Sequence, residues 1–174
     1  MTGSAEIGLL IPVDTSWDRA LEWGGRAVEA GAARLWGPGD LAGVGLLSAL
    51  SRSLDVRVGA VVPVGNAPAA VLAKHLTSLD VVAEGRLDVA VEAGPGVGEV
   101  LEILAGLAGG EPGRFEGSIP VTGARCLPPA VQRPAYPLWT ARPPAEGPSA
   151  QPAGTPVGWW QAGLGSVEVT PWPG

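Results

Sequence analysis

The chain has 174 residues, a length that fits one domain with a single sizeable core. Seventeen acidic residues stand against 11 basic ones, and Lys74 is the only lysine; a net charge of −6 repels phosphate backbones and argues against a nucleic-acid partner. Glycine (27) and proline (18) are abundant, yet 46% of residues are hydrophobic and the apolar positions are patterned, which excludes collagen, a coiled coil and a wholly disordered chain. A lone Cys126 excludes an intramolecular disulfide, and a lone His75 excludes metal sites built on histidine pairs.

The first apolar run, Ile7 to Val13, follows Glu6 without a basic segment and is far too short to cross a membrane. The expectation is a soluble, cytoplasmic bacterial protein with no membrane partner. That run reads as a buried strand. Thr15 to Asp18 resembles a capping box with Asp in place of Glu, and Trp17, Leu21, Gly24 and Val28 then recur on one helical face. Gly31 sits where a left-handed C-terminal residue belongs. Ala33 to Trp36 reads as a second strand. Leu41 to Leu54 follows as a helix, with Leu41, Val44, Leu47 and Leu50 inward, or the parallel set Leu46, Ala49, Leu50 and Ser53. Val56 to Val62, rich in β-branched residues, is a third strand.

Asn66 then caps a third helix with Pro68 in its first turn and Leu72, Leu76 and Leu79 as its face. Leu87 to Val91 is a fourth strand. Val97, Val100, Leu101, Leu104 and Leu107 mark a fourth helix that ends at Gly109 and Gly110, and Pro137 to Thr140 is a short fifth strand. Strands alternating with helices predict an α/β fold of parallel strands joined by right-handed crossovers.

Charge thins and proline thickens after Pro120. The expected division is a patterned body over 1–141 and a Pro/Gly/Trp-rich tail over 142–174. About five parallel strands cannot close a ring, and an open parallel sheet leaves unpaired edges and uncovered faces. The expectation is therefore that the tail or a second subunit covers the sheet. Gly165 to Thr170 alternates like an edge strand, and Trp159, Trp160 and Trp172 are expected to pack on the body or on a partner.

Three stretches carry a family resemblance. Asn66 to Asp80, followed by Glu84-Gly-Arg-Leu-Asp-Val-Ala-Val91, resembles the third helix and fourth strand of the bacterial-luciferase-like family of flavin- and deazaflavin-dependent monooxygenases and reductases. Val100 to Gly117, with Gly110-Glu-Pro-Gly-Arg-Phe-Glu-Gly117, is a second match, and Leu127 to Pro134 followed by Pro137-Leu-Trp139 a third. The resemblance covers roughly residues 5 to 140 and implies a TIM-type (β/α) barrel, here incomplete or rearranged, in a truncated and degenerate member. It also implies a flavin-dependent oxidoreductase or monooxygenase of a biosynthetic pathway, with FMN or deazaflavin F420 as cofactor, or none. The stretch between the fourth strand and fourth helix is cut to Gly94-Pro-Gly-Val-Gly98, and the later strands that supply much of the family's phosphate site are missing.

In such a barrel the active side is the C-terminal end of the strands. Where the family carries an imidazole after the second strand, this chain has Trp36-Gly-Pro-Gly-Asp40; Asp40 stands as a base or as the N-cap of the next helix. Glu92, ending the fourth strand, is the acid expected inside the mouth, against the alternative of a solvated rim residue. Ala60, Val61 and Val62 correspond to the strand behind the flavin ring, against an ordinary buried strand. Gly94 lies in a strand–helix turn that cradles phosphate or is simply tight. His75 and Cys126 read as packed residues rather than as a base or nucleophile. Two further functions stand beside the first: a non-catalytic paralogue or accessory subunit of a full-length homologue, and a flavin-independent cyclase or isomerase using the barrel mouth. Partners are expected to be a small-molecule substrate and, as homodimer or heteromer, a further copy or a full-length homologue.

Overall fold

The computed structural model describes residues 6–12, 14–65, 67–142, 157–161 and 168–171. Four β/α units come first: β1 (Glu6–Leu10), α1 (Trp17–Glu29), β2 (Arg34–Pro38), α2 (Leu41–Ser53), β3 (Arg57–Val62), α3 (Ala69–Val82), β4 (Leu87–Glu92) and α4 (Val97–Ala108). A two-stranded antiparallel hairpin, β5 (Gly113–Phe115) and β6 (Val121–Ala124), follows, then β7 (Leu138–Arg142), β8 (Val157–Gln161) and β9 (Glu168–Pro171). The five expected parallel strands are all present, paired β1–β2–β3–β4–β7. The ring then closes in the order β1-β2-β3-β4-β7-β9-β8, with β8 parallel to β1 and β9 antiparallel to both β7 and β8. Strand edges that would be left open are thus paired by segments of the same chain.

Alternation along the strands sorts side chains into two cores. Leu35, Val58, Ala60, Val62, Leu87, Val89, Val91 and Leu138 are buried. All of these but Leu35 join one cluster with the inner faces of α3 and α4, including Leu72, Leu76, Leu79, Leu101 and Leu104. The opposite parity faces the barrel interior, where Trp36, Ala90 and Ala141 pack with Leu10, Val61 and Trp139. Trp36 is fully buried and fills the centre. The room for its indole comes from glycines on the two flanking strands: a Cβ on Gly59 would lie 1.9 Å from Trp36 Cε3, and one on Gly8 would lie 2.9 Å from Trp36 Cδ1.

At the N-terminal end of the strands, the buried Asp88 takes two arginines. Arg34 Nε donates to its Oδ2 at 2.7 Å, and Arg57 donates through Nε at 3.0 Å and Nη2 at 3.1 Å. Arg57 Nη2 also reaches Gln132 Oε1 at 3.4 Å, while Gln132 Nε2 donates to Asp80 Oδ1 at 2.8 Å and to the Leu87 carbonyl at 2.7 Å. The fully buried Asp80 of α3 further accepts from the Val131 and Gln132 amides. This network ties the segment before β7 to α3 and to the barrel floor.

Helix boundaries follow the expectations with local corrections. Gly31 takes φ +89° after α1, as a left-handed terminator should. The N-cap of α1 is Ser16 rather than Thr15, and no side chain caps it, so the capping-box reading does not hold. In α2 the buried positions are Gly43, Leu47, Leu50 and Ser51, whereas Leu41 is 69% exposed because it begins the helix at the barrel rim. The N-cap of α3 is Pro68; Asn66 lies outside the described residues. Asp40 caps α2, its carboxylate accepting from the Gly43 amide at 2.7 Å.

Two substitutions test these assignments by chemical unfolding. Gly59→Ala drives a methyl into a rigid buried indole and should lower stability by about 3 kcal/mol. Asp40→Ala removes the cap and should cost about 1 kcal/mol, whereas Asp40→Asn, itself a good N-cap, should stay near wild type.

Candidate functional site at the barrel mouth

The C-terminal ends of the strands form the mouth, and register fixes what lines it. Val61, Ala90 and Trp139 stand in one row across β3, β4 and β7, and Glu92 pairs with Ala141 in the row above. Ala90 and Ala141 are sealed, while Val61, Glu92 and Trp139 keep partial exposure above the buried Trp36. Trp139 Nε1 is buried in this interior without a hydrogen-bond partner among the described residues, and the Arg34 guanidinium lies 5.9 Å from the Trp139 ring centroid.

The residues singled out from sequence separate by parity and by local bonding. Val61 and Glu92 reach the mouth. Ala60 and Val62 point the other way, into the outer core against α3 and α4, because successive strand residues alternate. Asp40 is exposed on the rim and its carboxylate is engaged as the α2 cap. Gly94 lies in a turn that closes on itself, its carbonyl accepting from Val97 N at 3.2 Å, while Ala93 N donates to the Ala141 carbonyl at 2.6 Å. His75 is half-buried on α3. Cys126 is buried in the outer core, and burial pushes its thiol pKa up against the opposing effects of the Thr77 hydroxyl and the Lys74 ammonium. Tyr136 lies in the same core, its hydroxyl pKa likewise raised, chiefly by burial.

Two cavities lie beside the mouth rather than in it. One, of about 410 Å³, is apolar and runs between the loop after β3 and the helices, lined by Pro63, Val64, Ala67, Leu72, Val100 and Ile119. The other, of about 240 Å³, separates α4 from the β5–β6 hairpin and carries Glu99, Glu102 and Glu116 with Arg114. Glu99 is already committed there: it accepts from the Ser118 hydroxyl and amide, and these bonds hold its carboxyl below the ordinary range. Sequence reasoning did not single out this pair, since Ser118 lies 19 residues away in a loop.

A flavin or deazaflavin has two parts to accommodate, a flat ring and an anionic arm. The partly exposed Val61 beside the Trp139 indole, in the row of Val61, Ala90 and Trp139, suits a flat apolar ring. The arm finds no match. The loops that follow β1, β2, β3 and β4 (11–16, 39–40, 63–68 and 93–96) contain Asp14 and Asp40 but no lysine, arginine or histidine. The N-terminus of α4 carries Glu99 in its first turn. The loops after β1 to β4 and the first turn of α4 thus offer a phosphate no cation, and the cation that ends a strand at this rim is Arg142 of β7.

No family model and no curated protein matches the chain. Solved structures do. The coenzyme F420-dependent tetrahydromethanopterin reductase of Methanopyrus kandleri superposes with a TM-score of 0.70 at 14% identity over 79% of this chain and 50% of its own. Monooxygenase RslO1 of Streptomyces bottropensis gives 0.64 at 22% identity, covering 76% and 52%. The oxygenating constituent of 3,6-diketocamphane monooxygenase from Pseudomonas putida, solved with FMN, gives 0.59 at 16% identity, covering 78% and 51%. The chain spans about half the length of each. At these identities the likeness is one of architecture: the chain has the α/β-barrel fold seen in these proteins.

Proposed function

We propose that the chain is a luciferase-like oxidoreductase barrel whose C-terminal mouth receives a flavin-type ring or the small molecule that such a ring would act on. The observation that carries the reading is the inward row of Val61, Ala90 and Trp139, with Glu92 above it, at the end of a barrel whose structural neighbours include a coenzyme F420-dependent reductase and an FMN-bound monooxygenase. Function in β/α barrels resides at this end of the strands.

A bound flavin or deazaflavin would supply the electron-pair chemistry. The chain's own part is narrower. Val61 offers an apolar wall, the Trp139 indole offers a flat face, and Glu92 is the carboxylate at the mouth able to hold or take a proton from a bound molecule. Asp40 has no such part, since its carboxylate is spent on the α2 amide.

A second reading, a non-catalytic homologue acting beside a full-length one, is favoured by the lack of a cation in the loops after β1 to β4. Titration of the purified protein with FMN, with coenzyme F420 and with riboflavin, followed by ligand fluorescence, separates the two. The oxidoreductase reading expects saturable binding of at least one ligand, weakened several-fold by Val61→Trp, which fills the mouth. Absence of binding of FMN, coenzyme F420 and the uncharged riboflavin alike at millimolar concentration would overturn it and favour the non-catalytic reading.

A further inference from the structure

Resting on the reading of the mouth as a ring site, we propose that this barrel accepts an uncharged ring system and discriminates against the same ring carrying a phosphate. The argument is the distribution of charge along the barrel axis. At the N-terminal end, Arg34 and Arg57 are gathered on Asp88, and Arg86 pairs with Asp55 at 2.8 Å while also donating to the Ser51 carbonyl. At the C-terminal end the loops after β1 and β2 carry Asp14 and Asp40, those after β3 and β4 carry no charge, Glu92 stands at the mouth itself, and Arg142 ends β7.

Elements that begin at this end do carry cations, and each of those described is placed elsewhere. Arg19 of α1 lies over the Trp23 ring at 5.9 Å. Lys74 of α3 donates to the Leu127 carbonyl. Arg114 of the hairpin is held by Glu116. Three amides at this end are already engaged: Gly43 N by Asp40, Val97 N by the Gly94 carbonyl, and Ser118 N by Glu99. A phosphate dianion entering here meets Asp14, Asp40 and Glu92 without a counter-charge from those loops. Helix N-termini favour anions, but only within the first turn and by less than a full charge, so the nearby carboxylates prevail.

Riboflavin and FMN form the matched probe pair, with the same ring and side chain and differing only in the phosphate. Binding to the full chain is measured by quenching of flavin fluorescence at low and at high ionic strength. The expected result is that riboflavin binds about ten-fold more tightly than FMN at low salt, the size of a dianion's repulsion by a few carboxylates at this range. Raising the salt should narrow that gap, because screening relieves repulsion, and Glu92→Gln should narrow it without salt.

Tighter binding of FMN than of riboflavin at low salt, or a loss of FMN affinity relative to riboflavin on adding salt, would overturn the inference while leaving the ring site standing. It would also direct attention to Arg142, which ends β7 at this rim. Failure of both flavins to bind would overturn the inference together with the ring site on which it rests.

Discussion

One packing requirement governs the interior of this protein: a tryptophan at the barrel centre must be given space by the strands on either side of it. Trp36 is wholly buried, and the flanking positions that face it, Gly8 and Gly59, carry no side chain. Barrels of this type are filled cores rather than pores, normally packed by layers of branched residues. Here one indole takes the place of several such residues. Its flat shape fixes which residues of β1 and β3 face inward, and through register it places Val61 and Glu92 at the mouth.

The second organising feature is polarity. The charged network at the N-terminal end is dense and bonded, with Asp80, Asp88, Arg34, Arg57 and Gln132 sharing hydrogen bonds. Removing one member would strand buried charge, so this end serves stability. At the opposite end the loops after β1 to β4 carry only Asp14 and Asp40 as charged residues, and Glu92 is partly exposed. Such a separation of a bonded floor from an open mouth is how one barrel keeps a stable body beneath a site free to vary.

Much of the fold was legible in the chain. Apolar runs of six or seven residues marked β1 and β3, and periodic leucines marked the faces of α3 and α4, because each element repeats its own period. What could not be read was parity. A strand buried on both faces shows no alternation, so Ala60, Val61 and Val62 looked equivalent, although only Val61 faces the mouth. The glycines of β1 and β3 were a signal of close approach that became meaningful only beside Trp36. Asp80 and Asp88 also offered a signal, an acid on an otherwise apolar helix face and an acid within a buried strand, but their partners lie 31 to 54 residues away. Asp40 was legible as a cap because that geometry is local.

The direction of β9 has a consequence for chain length. A parallel neighbour must be reached by a crossover that travels the full height of the sheet, which usually takes a dozen residues or more and a helix. An antiparallel neighbour needs only a reversal. Six residues separate Gln161 from Glu168 in the sequence, and β9 lies between β7 and β8. One reversed stave therefore closes the hoop, and seven strands pair into a ring.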